Sequence, residues 1–194
     1  KSNVWSSRSL NDYYLVDLKT GNRSLLIAAK NNLDISPTGK YALYFDYKDK
    51  NYYSIELKNN KLTQLTAGFP VRCYDEDHDT PNDPNPYGIA GWTENDKYIL
   101  IYDRFDIWKF DPTGKEMELN LTNGRAKRTR YRYESLDKDI NHIPISKEIL
   151  LSAFNEKTNA EGYYSIQILK PDNKQMLVVG DFMLALVLNA KYSA

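Results

Sequence analysis

The stretch Tyr41-Ala42-Leu43-Tyr44-Phe45-Asp46-Tyr47-Lys48-Asp49-Lys50-Asn51-Tyr52-Tyr53-Ser54-Ile55-Glu56-Leu57-Lys58-Asn59-Asn60-Lys61-Leu62-Thr63-Gln64-Leu65 alternates three short apolar runs with two polar breaks. The runs cover residues 41–47, 52–57 and 62–65, and the breaks carry Asp, Asn and Lys. Short aromatic and β-branched runs bounded by such residues read as strands joined by tight turns. Upstream, residues 32–35 and the turn Ser36-Pro37-Thr38-Gly39-Lys40 add a further strand, with Pro37 presetting one turn dihedral. The stretch therefore spells a four-stranded antiparallel meander.

The pattern recurs. Tyr13-Tyr14-Leu15-Val16-Asp17-Leu18-Lys19, Tyr52 to Lys58, Ile107-Trp108-Lys109-Phe110-Asp111 and Tyr163-Tyr164-Ser165-Ile166-Gln167-Ile168-Leu169-Lys170 are spaced by about 39, 55 and 55 residues. Each is an aromatic-led strand followed by a short turn and a second apolar strand, at the spacing of blade-like repeats. The sequence predicts an all-β chain, a β-propeller or partial propeller of about four blades, each a four-stranded antiparallel meander. The main rival architecture is a β-sandwich. Residues 1–194 form one segment with approximate blades at 11–30 (partial), 31–68, 69–125 and 126–180, and 181–194 start another strand, with residues 182–188 as its apolar run. Residues 69–86, polar, acidic and Pro-rich, form a long loop inserted in the third unit. Lys170-Pro171-Asp172-Asn173-Lys174 is expected to be the last turn, leading to a strand over 176–179. An arc of this kind leaves open sheet edges, through which self-association is expected.

Bulk composition narrows the function. The 26 basic and 26 acidic side chains cancel, which gives no support to a dedicated nucleic-acid or membrane-surface protein. Tyr occurs 16 times, as suits half-buried strand surfaces. The single cysteine, Cys73, has no internal disulfide partner. No apolar run reaches the ~18 residues of a membrane span. A start at Lys1, without Met or a signal-like segment, is expected of a processed or excised piece.

The segment Gly91-Trp92-Thr93-Glu94-Asn95-Asp96-Lys97-Tyr98-Ile99-Leu100-Ile101-Tyr102-Asp103-Arg104-Phe105-Asp106-Ile107-Trp108-Lys109-Phe110-Asp111-Pro112-Thr113-Gly114-Lys115, followed by Asn120-Leu121-Thr122-Asn123-Gly124, resembles the propeller of prolyl-oligopeptidase-family serine peptidases. It is most similar to dipeptidyl-peptidase-type members from Bacteroidetes-like bacteria. Residues 36–41 and 62–66 fit a shorter pattern shared with TolB-like propellers. The resemblance extends over roughly residues 11–180. It implies a covalently attached α/β-hydrolase domain with a Ser-Asp-His triad, a peptide substrate reached through the parent protein, and a periplasmic or exported location. No Gly-x-Ser-x-Gly elbow occurs in this chain, so no catalytic residue carries over.

His78 and His142 lie near no recognisable nucleophile motif, and a triad needs a base in reach of one. Asp75, Asp77 and Asp79 alternate as acids of a Ca²⁺ loop do, but Thr80 and Pro86 stand where an EF-hand needs Gly and Glu. They remain a non-standard Ca²⁺ candidate, against a solvated acidic insertion. Arg125, Lys127, Arg128, Arg130 and Arg132, interleaved with Tyr131 and Tyr133, carry the charge and stacking surfaces of a nucleic-acid strip. The alternation of Arg128, Arg130 and Arg132 instead suggests one strand face, balanced by Glu134, Asp137 and Asp139. Trp92 and Trp108 suit a sugar or peptide groove or, more simply, packing between blades. Cys73 reads as a plain loop or packing residue rather than a nucleophile, because no partner His motif surrounds it.

The expectation is a non-catalytic propeller segment, with no cofactor, no metal and no nucleic-acid partner, that gates access and positions peptide substrate for a separate hydrolase domain. The alternative is a TolB-like free-standing propeller that binds a protein or peptide. A third reading, a propeller glycosidase or lactonase, needs acids converging from several blades, and only the 75–79 cluster is on offer.

Overall fold

A computed structural model describes residues 9–137 and 139–181. The described residues form four antiparallel sheets, laid down one after another along the chain. The first holds β1 (Asn11–Val16) and β2 (Arg23–Lys30). The second is a meander of β3 (Asp34–Ile35), β4 (Tyr41–Asp46), β5 (Asn51–Glu56) and β6 (Lys61–Gln64). The third holds β7 (Ile89–Trp92), β8 (Ile99–Tyr102), β9 (Ile107–Phe110) and β10 (Leu119–Asn120). The fourth holds β11 (Thr129–Glu134), β12 (Glu148–Asn155), β13 (Glu161–Gln167) and β14 (Lys170–Gly180). Two single-turn 3₁₀ helices, Glu94–Asp96 and Arg125–Lys127, interrupt the strands. The first unit is two-stranded and the other three are full four-stranded meanders, the blades of a propeller arc.

The sheets stack face on face. Leu26 and Ile27 of the first sheet pack on Ala42, Tyr44 and Ile55 of the second. The other face of the second sheet, with Leu43, Phe45 and Tyr52, meets Trp92, Ile99, Ile101 and Phe110 of the third. The third in turn gives Leu100, Tyr102 and Ile107 to Tyr131, Ile149, Leu151 and Ile166 of the fourth. Successive residues of a strand point to opposite faces, so a strand covered on both sides must be apolar throughout. That is why β8, Ile-Leu-Ile-Tyr, is buried at every position and β4 at its four central ones.

One boundary moves. The expected turn at residues 170–174 lies inside β14, because the chain already reverses at Ile168 and Leu169. Gln167 pairs with Lys170, and Ser165 with Gln175, so residues 171–174 bulge out of register. Ile168 is fully buried, which draws the turn inward. The bulge sends the Lys174 ammonium back over the Tyr131 ring at 4.1 Å, where it also donates to the Thr122 carbonyl. The strand expected over 182–188 lies outside the described residues.

Candidate functional site: an arginine cradle beneath an acidic loop

The β8–β9 connection, Asp103-Arg104-Phe105-Asp106, is built by its two acids. The Asp103 Oδ1 accepts the Phe105 and Asp106 amides at 2.6 and 2.7 Å, and its Oδ2 accepts the Trp108 indole N–H at 2.8 Å. Asp106 accepts the Thr122 hydroxyl at 2.7 Å and the amides of Gly124 and Arg125. Thr122 Oγ1 in turn accepts the Ile107 amide at 3.1 Å. Asp103, Asp106 and Thr122 are almost fully buried. Buried carboxylates persist where donors satisfy their oxygens, and here main-chain amides do most of it. Gly124 sits so close that an added Cβ would lie 2.1 Å from the Thr129 carbonyl oxygen.

This hairpin and the following 3₁₀ helix gather three guanidinium groups around Phe105. Arg104 and Arg125 stand 5.2 Å from the ring centroid and Arg128 5.7 Å. The acidic loop closes over them. Glu76 receives both terminal nitrogens of Arg125, at 2.6 and 3.2 Å, in a fork-on-fork pair. Asp77 receives Arg104, whose other nitrogens reach Glu156 at 3.1 and 3.3 Å. Arg128 joins Glu156 at 2.7 Å. The loop itself is pinned by the Tyr74–Pro86 bridge and by the Glu76 amide donating to the Tyr87 hydroxyl at 3.0 Å. Hydrogen bonding to Glu76, then the charge of Asp103, pushes the Arg125 pKa still higher against a partial loss of solvent. Glu156 does the same for Arg104.

The basic stretch is therefore not one strand face. Arg128 has a left-handed backbone at the end of the 3₁₀ helix, and only Arg130 and Arg132 stand on β11. The expected balance was Glu134, Asp137 and Asp139; among the described residues Arg125 pairs with Glu76 and Asp103, and Arg128 with Glu156, brought in by the folded-back loop, the β8–β9 connection and the turn after β12. Arg132 lies over Tyr102 at 4.5 Å and donates to the carbonyls of Tyr131, Asp103 and Arg104. Burial lowers its pKa.

Among the described residues no three His, Cys, Asp or Glu side chains are grouped to hold a metal, and Asp75 and Asp77 are spent on a loop amide and on Arg104. His78 Nε2 lies 2.6 Å from the Asn82 carbonyl and 3.1 Å from the Thr80 hydroxyl, a contact that orders the loop. His142 is half-buried beside Ile143. Cys73 is buried, and loss of solvent, then the Asp103 charge, drives its thiol pKa up. Trp92 is buried, stacks on Tyr41 and donates to Asp34 at 2.8 Å. Trp108 is half-buried and meets Phe69 edge-on at 4.8 Å. A separate groove of about 570 Å³ opens between turns of the second, third and fourth units, lined by Lys40, Glu94, Lys97, Lys115, Glu116 and Ser146. No helix among the described residues is long and apolar enough to cross a membrane.

No family model matches this chain, and no curated protein matches it. Among solved structures it is similar to an oligogalacturonate lyase in complex with manganese, at a TM-score of 0.33 and 10% identity. That match covers 87% of this chain and 59% of the lyase, so the chain spans about three fifths of the other protein.

Proposed function

We propose that the chain is a non-catalytic propeller wall that admits and positions polypeptide for a catalytic centre carried elsewhere in its parent protein. The observation that carries this reading is the use made of the 102–110 motif. Its acids, Asp103 and Asp106, are spent on main-chain amides, an indole and a hydroxyl, so the residues that look most like chemistry act as architecture. The resemblance of residues 91–124 to prolyl-oligopeptidase propellers supplies the reaction class, hydrolysis of peptides by an attached α/β-hydrolase domain. The same resemblance supplies an exported or periplasmic setting.

The purified chain, incubated with dipeptidyl chromogenic substrates, is expected to release no chromophore; turnover by the chain alone overturns the reading. The coding sequence beyond Ala194 gives the second test. A Gly-x-Ser-x-Gly strand–turn–helix signature followed by Asp and His supports the peptidase. A stop codon instead favours a free-standing propeller that docks a peptide, for which the groove between Lys40 and Lys115 is the structural support.

A further inference from the structure

We infer that the Arg104–Arg125–Arg128 cradle is a receptor for acidic polypeptide, and that Glu76 and Asp77 are its built-in occupants. The Arg125 fork and one nitrogen of Arg104, from different elements, meet carboxylates on two consecutive residues of a turn in the acidic loop. Planar guanidinium groups bind carboxylates in pairs at a fixed geometry, so the arrangement reads a segment with adjacent acids. The floor is prepared independently of the loop. The Phe105 ring lies near all three guanidinium groups, and Glu156 holds Arg104 and Arg128.

The two halves of the closure differ in strength. The Glu76 side chain is 22% exposed and holds Arg125 with both oxygens, whereas Asp77 is 70% exposed and meets Arg104, itself only 21% exposed, with one oxygen. Exposed single pairs contribute little and exchange readily with solvent. An incoming acidic segment displaces Asp77 first and then competes for Arg125. The loop thus acts as an internal competitor that sets a threshold for ligand. This deepens the reading of the chain as a polypeptide-handling wall by naming the class of polypeptide it selects.

The test is fluorescence anisotropy with a labelled Glu/Asp-alternating peptide at low salt. A Glu76→Ala/Asp77→Ala variant is expected to bind it about tenfold more tightly than the unaltered chain. Adding Arg104→Ala and Arg125→Ala to that variant is expected to abolish the gain, and a Gln/Asn peptide is expected not to bind. Asp77→Asn, at an exposed position, gives a second, conformationally safe variant with a smaller gain. Equal binding by the unaltered chain and both loop variants overturns the inference, as does a gain that survives loss of the two arginines. Tighter binding of a single-stranded oligonucleotide than of the acidic peptide overturns it too and makes the cradle a phosphate site. None of these outcomes bears on the hydrolysis test, so the two ideas fail separately.

Discussion

The Asp96 carboxylate, in the β7–β8 connection of the third sheet, accepts the hydroxyl of Ser36, in the β3–β4 turn of the second, at 2.5 Å. The neighbouring Thr38 adds its amide, 3.1 Å from Oδ1, and its hydroxyl. Asp96 is 1% exposed. A single carboxylate therefore clasps the Ser-Pro-Thr-Gly turn of one blade to the next. Asp96→Ala leaves those donors unmet in a dry site and is expected to destabilise the fold by about 2–3 kcal/mol. Chemical denaturation followed by tyrosine and tryptophan fluorescence measures this, and an unchanged midpoint counts against the clasp.

The same group sets an acid limb. Burial opposes its ionisation, but the hydrogen bonds from Ser36 and Thr38 outweigh that and bring its pKa below the ordinary 3.8. A folded pKa below the unfolded one contributes stability at all pH above the unfolded value, and the contribution is lost as pH falls through the folded value. Asp96→Asn is expected to flatten the loss of melting temperature below about pH 4. A variant whose acid limb matches that of the unaltered chain would show that other carboxylates govern it.

Trp108→Ala removes a half-buried ring, its edge-on contact with Phe69 and one donor to Asp103. The expected cost is about 3 kcal/mol, within the range for large aromatic truncations. Trp108→Phe separates the two effects, keeping most of the packing and losing only the N–H. Melting temperatures that fall in the order unaltered, Phe, Ala support both roles.

Gly124→Ala places a methyl group 2.1 Å from the Thr129 carbonyl oxygen and 2.9 Å from the Tyr131 ring. Neither backbone nor packed ring yields cheaply, so about 1–3 kcal/mol is expected. Because Gly124 also donates to Asp106, the displaced strand start should speed hydrogen exchange at the amides of β11 more than at those of β5.

Cys73 is 3% exposed and its thiol resists ionisation. A thiol reagent at mildly alkaline pH is expected to label it only as fast as the fold opens. Labelling within mixing time in the native state would contradict its burial among Leu43, Phe45 and Trp92.

Much of the architecture was legible because strands and turns are written locally. The run Tyr41 to Leu65 names its own pairing partners, and Ile99 to Tyr102 shows burial on both faces. What escaped was long-range. Nothing near Asp96 in sequence points to Ser36, and nothing near Arg125 points to Glu76, since each pair forms only when turns or loops of neighbouring units fold back. Proximity in sequence suggested Glu134 as the balance for the arginines, and the 3₁₀ helix at residues 125–127 redirected them. The last turn was misplaced for a related reason: Pro171 and Asn173 look like a reversal, yet burial of Ile168 claims it two residues earlier.

Neighbouring blades are joined by bonds of two kinds. Between the second and third sheets the fasteners are side chains, Asp96 on Ser36 and Thr38, and Trp92 on Asp34. Between the third sheet and the β11–β12 connection of the fourth, Ile143 exchanges main-chain hydrogen bonds with Trp92 and Glu94 at 2.7 and 3.1 Å. Peptide groups do not titrate, whereas carboxylates do. Each junction also holds a carboxylate, Asp96 in one and Glu156 on Arg104 in the other, but among the described residues only the second keeps main-chain bonds, at Ile143 and from Tyr131 to Phe105, once those acids are protonated.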